Sequence, residues 1–209
     1  MSYNDKQLQI IDTAEKLFAI HGYNGTSVRD IAEDAGVNVA MISYYFGSKE
    51  KLMEAVFGER TRHIIVTIES LLKDERLTPL EKVYALVDDY IGRVLQKQQF
   101  FKIMLVEQML EKNPIVTASL HEMKKRNGEF IEKLIKDGQN KKSFKKNIDI
   151  VLMMNTMVGV ITQTLANKEY YRFYNKLDKI TDEELNTLVQ KKMSEHIKQL
   201  FKAILTYEG

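Results

Sequence analysis

The sequence predicts an all-α fold: an N-terminal three-helix head carrying a helix-turn-helix, packed on a larger helical C-terminal domain. Apolar residues recur three and four apart along most of the chain, the period of helices that bury one face. Helix breakers are scarce, with Pro 2 and Gly 10 in 209 residues. Side chains that cap helix starts stand before several of the periodic stretches. A hydrophobic share of 44% and a charged share of 29% are ordinary for a soluble globular protein of this length. Cys 0 removes disulfides, thiolate zinc sites and cysteine nucleophiles, and suits a reducing cytoplasm.

The first helix is predicted from about Lys6 to His21, because Ile10, Ala14, Leu17, Phe18 and His21 fall on one stripe. Gly22 and Gly25 break it. Thr26 or Ser27 then caps a short second helix, and Asp30 is placed to close a capping box on Ser27. Val28, Ile31, Ala32 and Ala35 form its buried side, and Gly36 stops it in a left-handed position. Asn38 caps a third helix that reaches Phe46, with Ile42 and Phe46 turned inward and Val37 sealing the turn. Gly47 ends that helix and Ser48 opens a fourth. Two short helices joined at Gly36 make a helix-turn-helix, whose second helix can enter a DNA major groove. Composition gives no support for DNA. Residues 1–57 carry five lysines and arginines against eight aspartates and glutamates, a net charge of −3, whereas many DNA-binding domains are strongly basic.

The residues go further than the pattern. Gly22-Tyr23, Thr26-Ser27-Val28-Arg29-Asp30-Ile31-Ala32, Ala35-Gly36-Val37 and Ile42-Ser43-Tyr44-Tyr45-Phe46-Gly47-Ser48-Lys49-Glu50-Lys51-Leu52 closely resemble the signature of the TetR family of bacterial transcriptional regulators. The resemblance covers roughly the first quarter of the chain. It implies a DNA-binding domain at residues 1–47 and a helical ligand-binding and dimerisation domain at 48–209. It further implies a homodimeric repressor on a double-stranded DNA operator, released by a small lipophilic effector, with no cofactor. The departures are Val39 and Ser43, where a lysine and a tyrosine are frequent in the family.

Downstream, Thr78-Pro79-Leu80-Glu81 combines an N-cap, a proline at the first helical position and a capping glutamate. Asn113-Pro114 and Thr181-Asp182-Glu183-Glu184 are further starts. Helices are placed at about 48–73, 79–97, 99–112, 115–137, 147–167 and 182–207. The stretch 148–166 carries too many polar groups for a membrane span and reads as a buried helix. Met1 to Asp12 is polar and mixed in charge, so no signal peptide is expected.

In the head, Thr26, Ser27 and Arg29 sit where a helix start attracts a DNA phosphate. With Ile42 and Phe46 inward, Asn38, Ala40, Met41, Ser43, Tyr44 and Tyr45 are left to face DNA, with Val39 beside them. Similar positions contact DNA in TetR-like proteins, and Lys49 in the Gly-Ser-Lys motif is expected on a flanking phosphate. The basic run Lys141-Lys142 and Lys145-Lys146 reads instead as an exposed link between helices.

Methionine-rich middle helices with isolated polar groups suggest an apolar ligand cavity. Its expected lining is Tyr90, Phe101, Met104, Gln108, Met123, Asn127, Asn155, Met157 and Gln163. The resemblance implies a four-helix dimer interface from the helices at 147–167 and 182–207. Gly159, Ala166, Met193, Ile197, Leu200, Phe201 and Ile204 are its candidates. The four histidines lack metal-ligand spacing, so no metal is expected. A regulator without a small-molecule ligand and a helical enzyme are the alternatives. For the enzyme no nucleophile, metal set or acid–base pair is visible.

Overall fold

The computed structural model describes residues 3–110 and 114–206, apart from the side chains of Thr61, His63, Ile64, Ile65, Glu107, Leu110 and Ile115. Ten helices and no strand occur among the described residues. They are α1 (Asp5–His21), α2 (Val28–Asp34), α3 (Val39–Phe46), α4 (Lys49–Lys73), α5 (Pro79–Gln96), α6 (Gln98–Leu110), α7 (Pro114–Asn140), α8 (Ile150–Ala166), α9 (Lys168–Tyr174) and α10 (Asp182–Leu205). The predicted all-α class holds. The proposed cap at Asn113 lies outside the described residues.

The chain forms two compact units. One comprises residues 1–66 and 96–127, the other 67–95 and 128–209. The division by packing therefore differs from a cut at residue 47, because residues 96–127 share the first unit with the head.

In the first unit, α1 packs on α6 and α2, and α2 on α3. Ile10, Ile11, Ala14 and Phe18 from α1 meet Ile31, Ala32, Ile42, Leu52, Val56, Phe100 and Leu120 in one apolar core. Burying each large side chain contributes roughly 1.5–3 kcal/mol. Arg60 pairs from α4 with Asp12 and the buried Glu15 of α1, which fixes those two helices in register.

In the second unit, α8 packs on α10. Residues four apart make the buried ridges: Met153, Met157 and Ile161 on α8, and Leu185, Val189, Met193, Ile197, Phe201 and Leu205 on α10. Gly138 is required for packing: a Cβ there would stand 2.1 Å from the buried Phe144 ring. Lys82 is buried, an identity that its place in a periodic helix does not reveal. Its ammonium donates to the Leu72 carbonyl at 3.1 Å and lies 3.9 Å from Asp137. Helix α8 is buried on one side only; Val151, Leu152, Asn155, Gln163 and Ala166 are exposed. Among the described residues no single helix is long and apolar enough to cross a membrane.

Candidate nucleic-acid interface

The head is held by short polar side chains. Ser27 caps α2: its hydroxyl accepts from the Asp30 N–H at 3.1 Å, and the Asp30 carboxylate accepts from the Ser27 N–H at 2.7 Å. These bonds, led by the one from the Ser27 N–H, hold the Asp30 carboxyl below its ordinary value of 3.8. The turn into α3 needs Gly36, whose φ of 59° lies in the left-handed region. Asn38 then caps α3, its side-chain oxygen accepting from the Ala40 N–H at 2.9 Å.

From that cap α3 buries Ile42 completely and leans Tyr45 and Phe46 on the core. Asn38, Val39, Ala40, Ser43 and Tyr44 are left exposed, and Met41 is half-buried. Tyr44 is 84% exposed, with its ring 5.3 Å from that of Tyr45. The ring thus stands open to solvent on a short helix held by the Asn38 cap. Arg29 and Ser27 are exposed as well, and Arg29 enters none of the ion pairs among the described residues.

Two expected phosphate contacts turn inward instead. Thr26 is buried, and its hydroxyl donates to the Gly22 and Leu17 carbonyls at 2.9 and 3.2 Å, bracing the end of α1. Lys49 reaches back 26 residues. Its ammonium donates to the Tyr23 and Thr26 carbonyls, both at 3.0 Å, and lies 4.1 Å from the Tyr23 ring centre. At the α1–α2 corner the Tyr23 carbonyl accepts a long bond from the Thr26 N–H at 3.4 Å, and the lysine adds a shorter one. Spacing within the motif correctly marks Lys49 as special but does not say which way the side chain turns.

The nine expected ligand residues divide between the units. Phe101, Met104, Gln108, Met123 and Asn127 belong to the first; Tyr90, Asn155, Met157 and Gln163 belong to the second. Met123 and Met157 are buried, and Phe101 and Met104 pack partly on the core. The Asn127 side-chain oxygen is shielded from solvent and has no hydrogen-bond partner among the described residues. Burial pushes the Tyr90 hydroxyl up to about 12. Gln108, Asn155 and Gln163 are exposed, which corrects the expectation that they are polar groups inside apolar helices. Gln163 accepts from the Asn167 side chain at 3.1 Å on the outside of α8. A groove of about 600 Å³ in the first unit runs past Glu54, Phe57, Pro114, Glu122, Met123 and Arg126. Met123 is the one expected ligand residue on it.

Three dimer candidates also change role. Met193, Ile197 and Phe201 are buried inside their own unit, in the ridge that α10 presents to its core. A four-residue ridge drifts slowly around a helix, so Leu200 and Ile204 fall on its flank and remain half-exposed. Gly159 is half-exposed and Ala166 exposed on α8.

Residues 10–56 match the family model for bacterial regulatory proteins, tetR family, and residues 79–199 match that for the tetracyclin repressor-like C-terminal domain. The chain belongs to the TetR family. As a TetR-type transcriptional regulator it resembles the fatty acid metabolism regulator protein of Bacillus subtilis (strain 168), 26% identical over 161 residues. That match spans 77% of this chain and 82% of the relative. The fold is shared with the fatty acid degradation regulator FadR from Bacillus halodurans, with a TM-score of 0.72 and 23% identity. Coverage there is 95% of this chain and 97% of FadR. FadR from Bacillus subtilis in complex with stearoyl-CoA superposes with a TM-score of 0.67 and 21% identity, covering 92% of this chain and 96% of FadR. In this TetR-family chain the helix-turn-helix is α2 and α3, with α3 in the place of the recognition helix.

Proposed function

We propose that this regulator is a cytoplasmic homodimeric repressor that leaves its operator when an apolar, acyl-type ligand binds. Residues 1–47 read DNA, and residues 48–209 take the ligand and the second copy. The exposed face of α3 carries this reading: Ala40 allows close approach to base edges, Ser43 and Asn38 offer hydrogen bonds, and Tyr44 offers a ring and a hydroxyl. Arg29 and Ser27 at the start of α2 take phosphate. The second copy covers the open side of α8 at Leu152, Gly159 and Ala166, with Leu200 and Ile204 of α10. This face mixes apolar and small residues with the amides Asn155 and Gln163, and exposure of its leucine at 63% fits an interface better than a solvated helix.

The relatives' fatty acid names and the stearoyl-CoA complex support an acyl-type ligand for this chain. Tyr90 and Met157, which share the second unit, are its proposed contacts. Release requires tighter binding to the DNA-incompetent state, and a tenfold loss of operator affinity takes about 1.4 kcal/mol of that difference.

An operator selected from random duplexes tests the reading. Tyr44→Ala should cost roughly 1–3 kcal/mol of specific binding while leaving the helical content intact. Stearoyl-CoA should then weaken wild-type binding. Unchanged affinity in the Tyr44 variant removes the assigned DNA face. Unchanged affinity with acyl ligands leaves a regulator without a small-molecule effector.

A further inference from the structure

On α5 the side chain of Arg93 is 16% exposed and most of its donors make no hydrogen bond among the described residues. The guanidinium of Arg93 has five N–H groups. Its Nε donates to the Asp89 carbonyl at 3.3 Å. Its Nη2 lies 2.7 Å from Asp89 Oδ2 as an ion pair, although neither atom takes part in a hydrogen bond among the described residues. Nη1, Nη2 and Oδ2 are all shielded from solvent without a hydrogen-bond partner among the described residues. Buried polar atoms are almost always satisfied, and three unsatisfied ones on two adjacent side chains mark a place where a partner is missing.

Space lies next to them. At Gly92 a Cβ would meet nothing within 4 Å. A mid-helix glycine weakens a helix relative to alanine, and here it leaves the side of α5 beside Asp89 and Arg93 open. The guanidinium sits 5.9 Å from the Tyr90 ring centre, which supplies an apolar neighbour for the body of a guest.

Charge decides what the guest offers. Asp89 and Arg93 already neutralise each other, so an added carboxylate would leave one partly buried negative charge uncompensated. A neutral group with both a donor and an acceptor leaves none. It can give its N–H or O–H to Asp89 Oδ2 and its oxygen to the Arg93 Nη atoms. We propose that Asp89 and Arg93 form the polar anchor of the effector site, selecting a secondary amide or hydroxyl on an apolar chain over a carboxylate. This rests on the reading of the protein as a ligand-released repressor.

The test uses the full-length protein at pH 7.5 with three matched probes: N-methyldodecanamide, 1-dodecanol and dodecanoate. Calorimetry reads binding, and fluorescence anisotropy reads operator affinity in parallel. Wild type should bind the amide at least about tenfold tighter than dodecanoate, a difference of roughly 1.4 kcal/mol. Asp89→Asn leaves the site cationic and should invert that order, a change that a purely structural ion pair would not produce. Arg93→Lys keeps the charge and the fold but loses the planar fork, so it should weaken the amide while preserving the preference for neutral probes. The anchor is overturned if wild type prefers dodecanoate, if Asp89→Asn leaves the order unchanged, or if none of the probes binds. Release of the operator by all three probes alike would sink the anchor and leave ligand-released repression standing. Binding with the inverted order but no change at the operator would establish the anchor and remove release.

Discussion

In the head, polar side chains hold the backbone; in the second unit, apolar ridges hold whole helices. Thr26, Ser27, Asn38 and Lys49 each close a helix end or corner through hydrogen bonds of 2.9 to 3.2 Å. Along α8 and α10 burial does most of the ordering, where Met153, Met157 and Ile161 meet the ridge from Leu185 to Leu205, and polar bonds such as those from Ser194 and Lys198 to Asp88 are added at the surface. A hydrogen-bonded corner depends on particular residues at fixed spacing, so its geometry is local. An apolar ridge accepts many residues and is defined only by what lies opposite. The two kinds of structure should therefore fail differently when changed.

The largest contrast is within α10. Ile197→Asp places a charge at a site with 0% exposure and should cost about 4 kcal/mol or more, visible as a collapsed thermal unfolding transition. Leu200→Asp, on the half-exposed flank, should cost only about 1 kcal/mol of protomer stability yet release monomers in light scattering. If both variants fold and both become monomeric, the buried ridge is misassigned.

An intermediate effect separates two cations of the head. Lys49→Ala should lower stability by about 1.5–3 kcal/mol, the range for hydrogen bonds from a charged donor, measured by chemical denaturation. It should leave the salt dependence of operator binding unchanged, because the ammonium is spent on carbonyls. Arg29→Ala should do the reverse: little loss of stability, and a salt slope flatter by about one unit. A flattened slope for Lys49→Ala would return that lysine to the phosphate.

The smallest effect concerns the α2 cap and its pH dependence. The Asp30 carboxyl titrates lower in the folded protein than its ordinary 3.8. Its contribution is therefore present above 3.8 and is lost as pH falls through the lower folded value. Urea titrations of wild type and Asp30→Asn should differ at neutral pH and converge in acid. A constant difference across that range would detach the box from the carboxylate.

How legible each part was follows from the same contrast. Ser27 with Asp30, Asn38, Gly36, Thr78 with Glu81, and Thr181 with Glu184 name their own geometry, and each is found where its spacing puts it. Helix α9 was not expected. Its sequence Lys-Glu-Tyr-Tyr-Arg-Phe-Tyr buries no residue, so no apolar stripe exists to be read. Tyr170, Phe173 and Tyr174 all remain more than 60% exposed. The apolar residues of α10 were legible as a helix face, but not which of them face inward, since Ile197 and Leu200 differ only in angle around the axis. Gln108, Asn155 and Gln163 looked internal because their neighbours are apolar; each occupies the outward side of its helix. The Asp89–Arg93 pair was hidden for the opposite reason, an i,i+4 spacing that usually marks a solvated surface pair.

The Lys49 contact also changes what counts as a conservative replacement. Lysine and arginine serve almost equally as positive charges opposite a phosphate, and exchanging them there costs little. An ammonium, however, directs three N–H bonds tetrahedrally from one atom, so a single nitrogen can converge on two carbonyls while resting on a ring. A guanidinium spreads its donors across a plane and cannot concentrate them on the Tyr23 and Thr26 oxygens from the same place. At this position arginine is a foreign shape with a familiar charge, and Lys49→Arg should loosen the α1–α2 corner nearly as much as removing the cation.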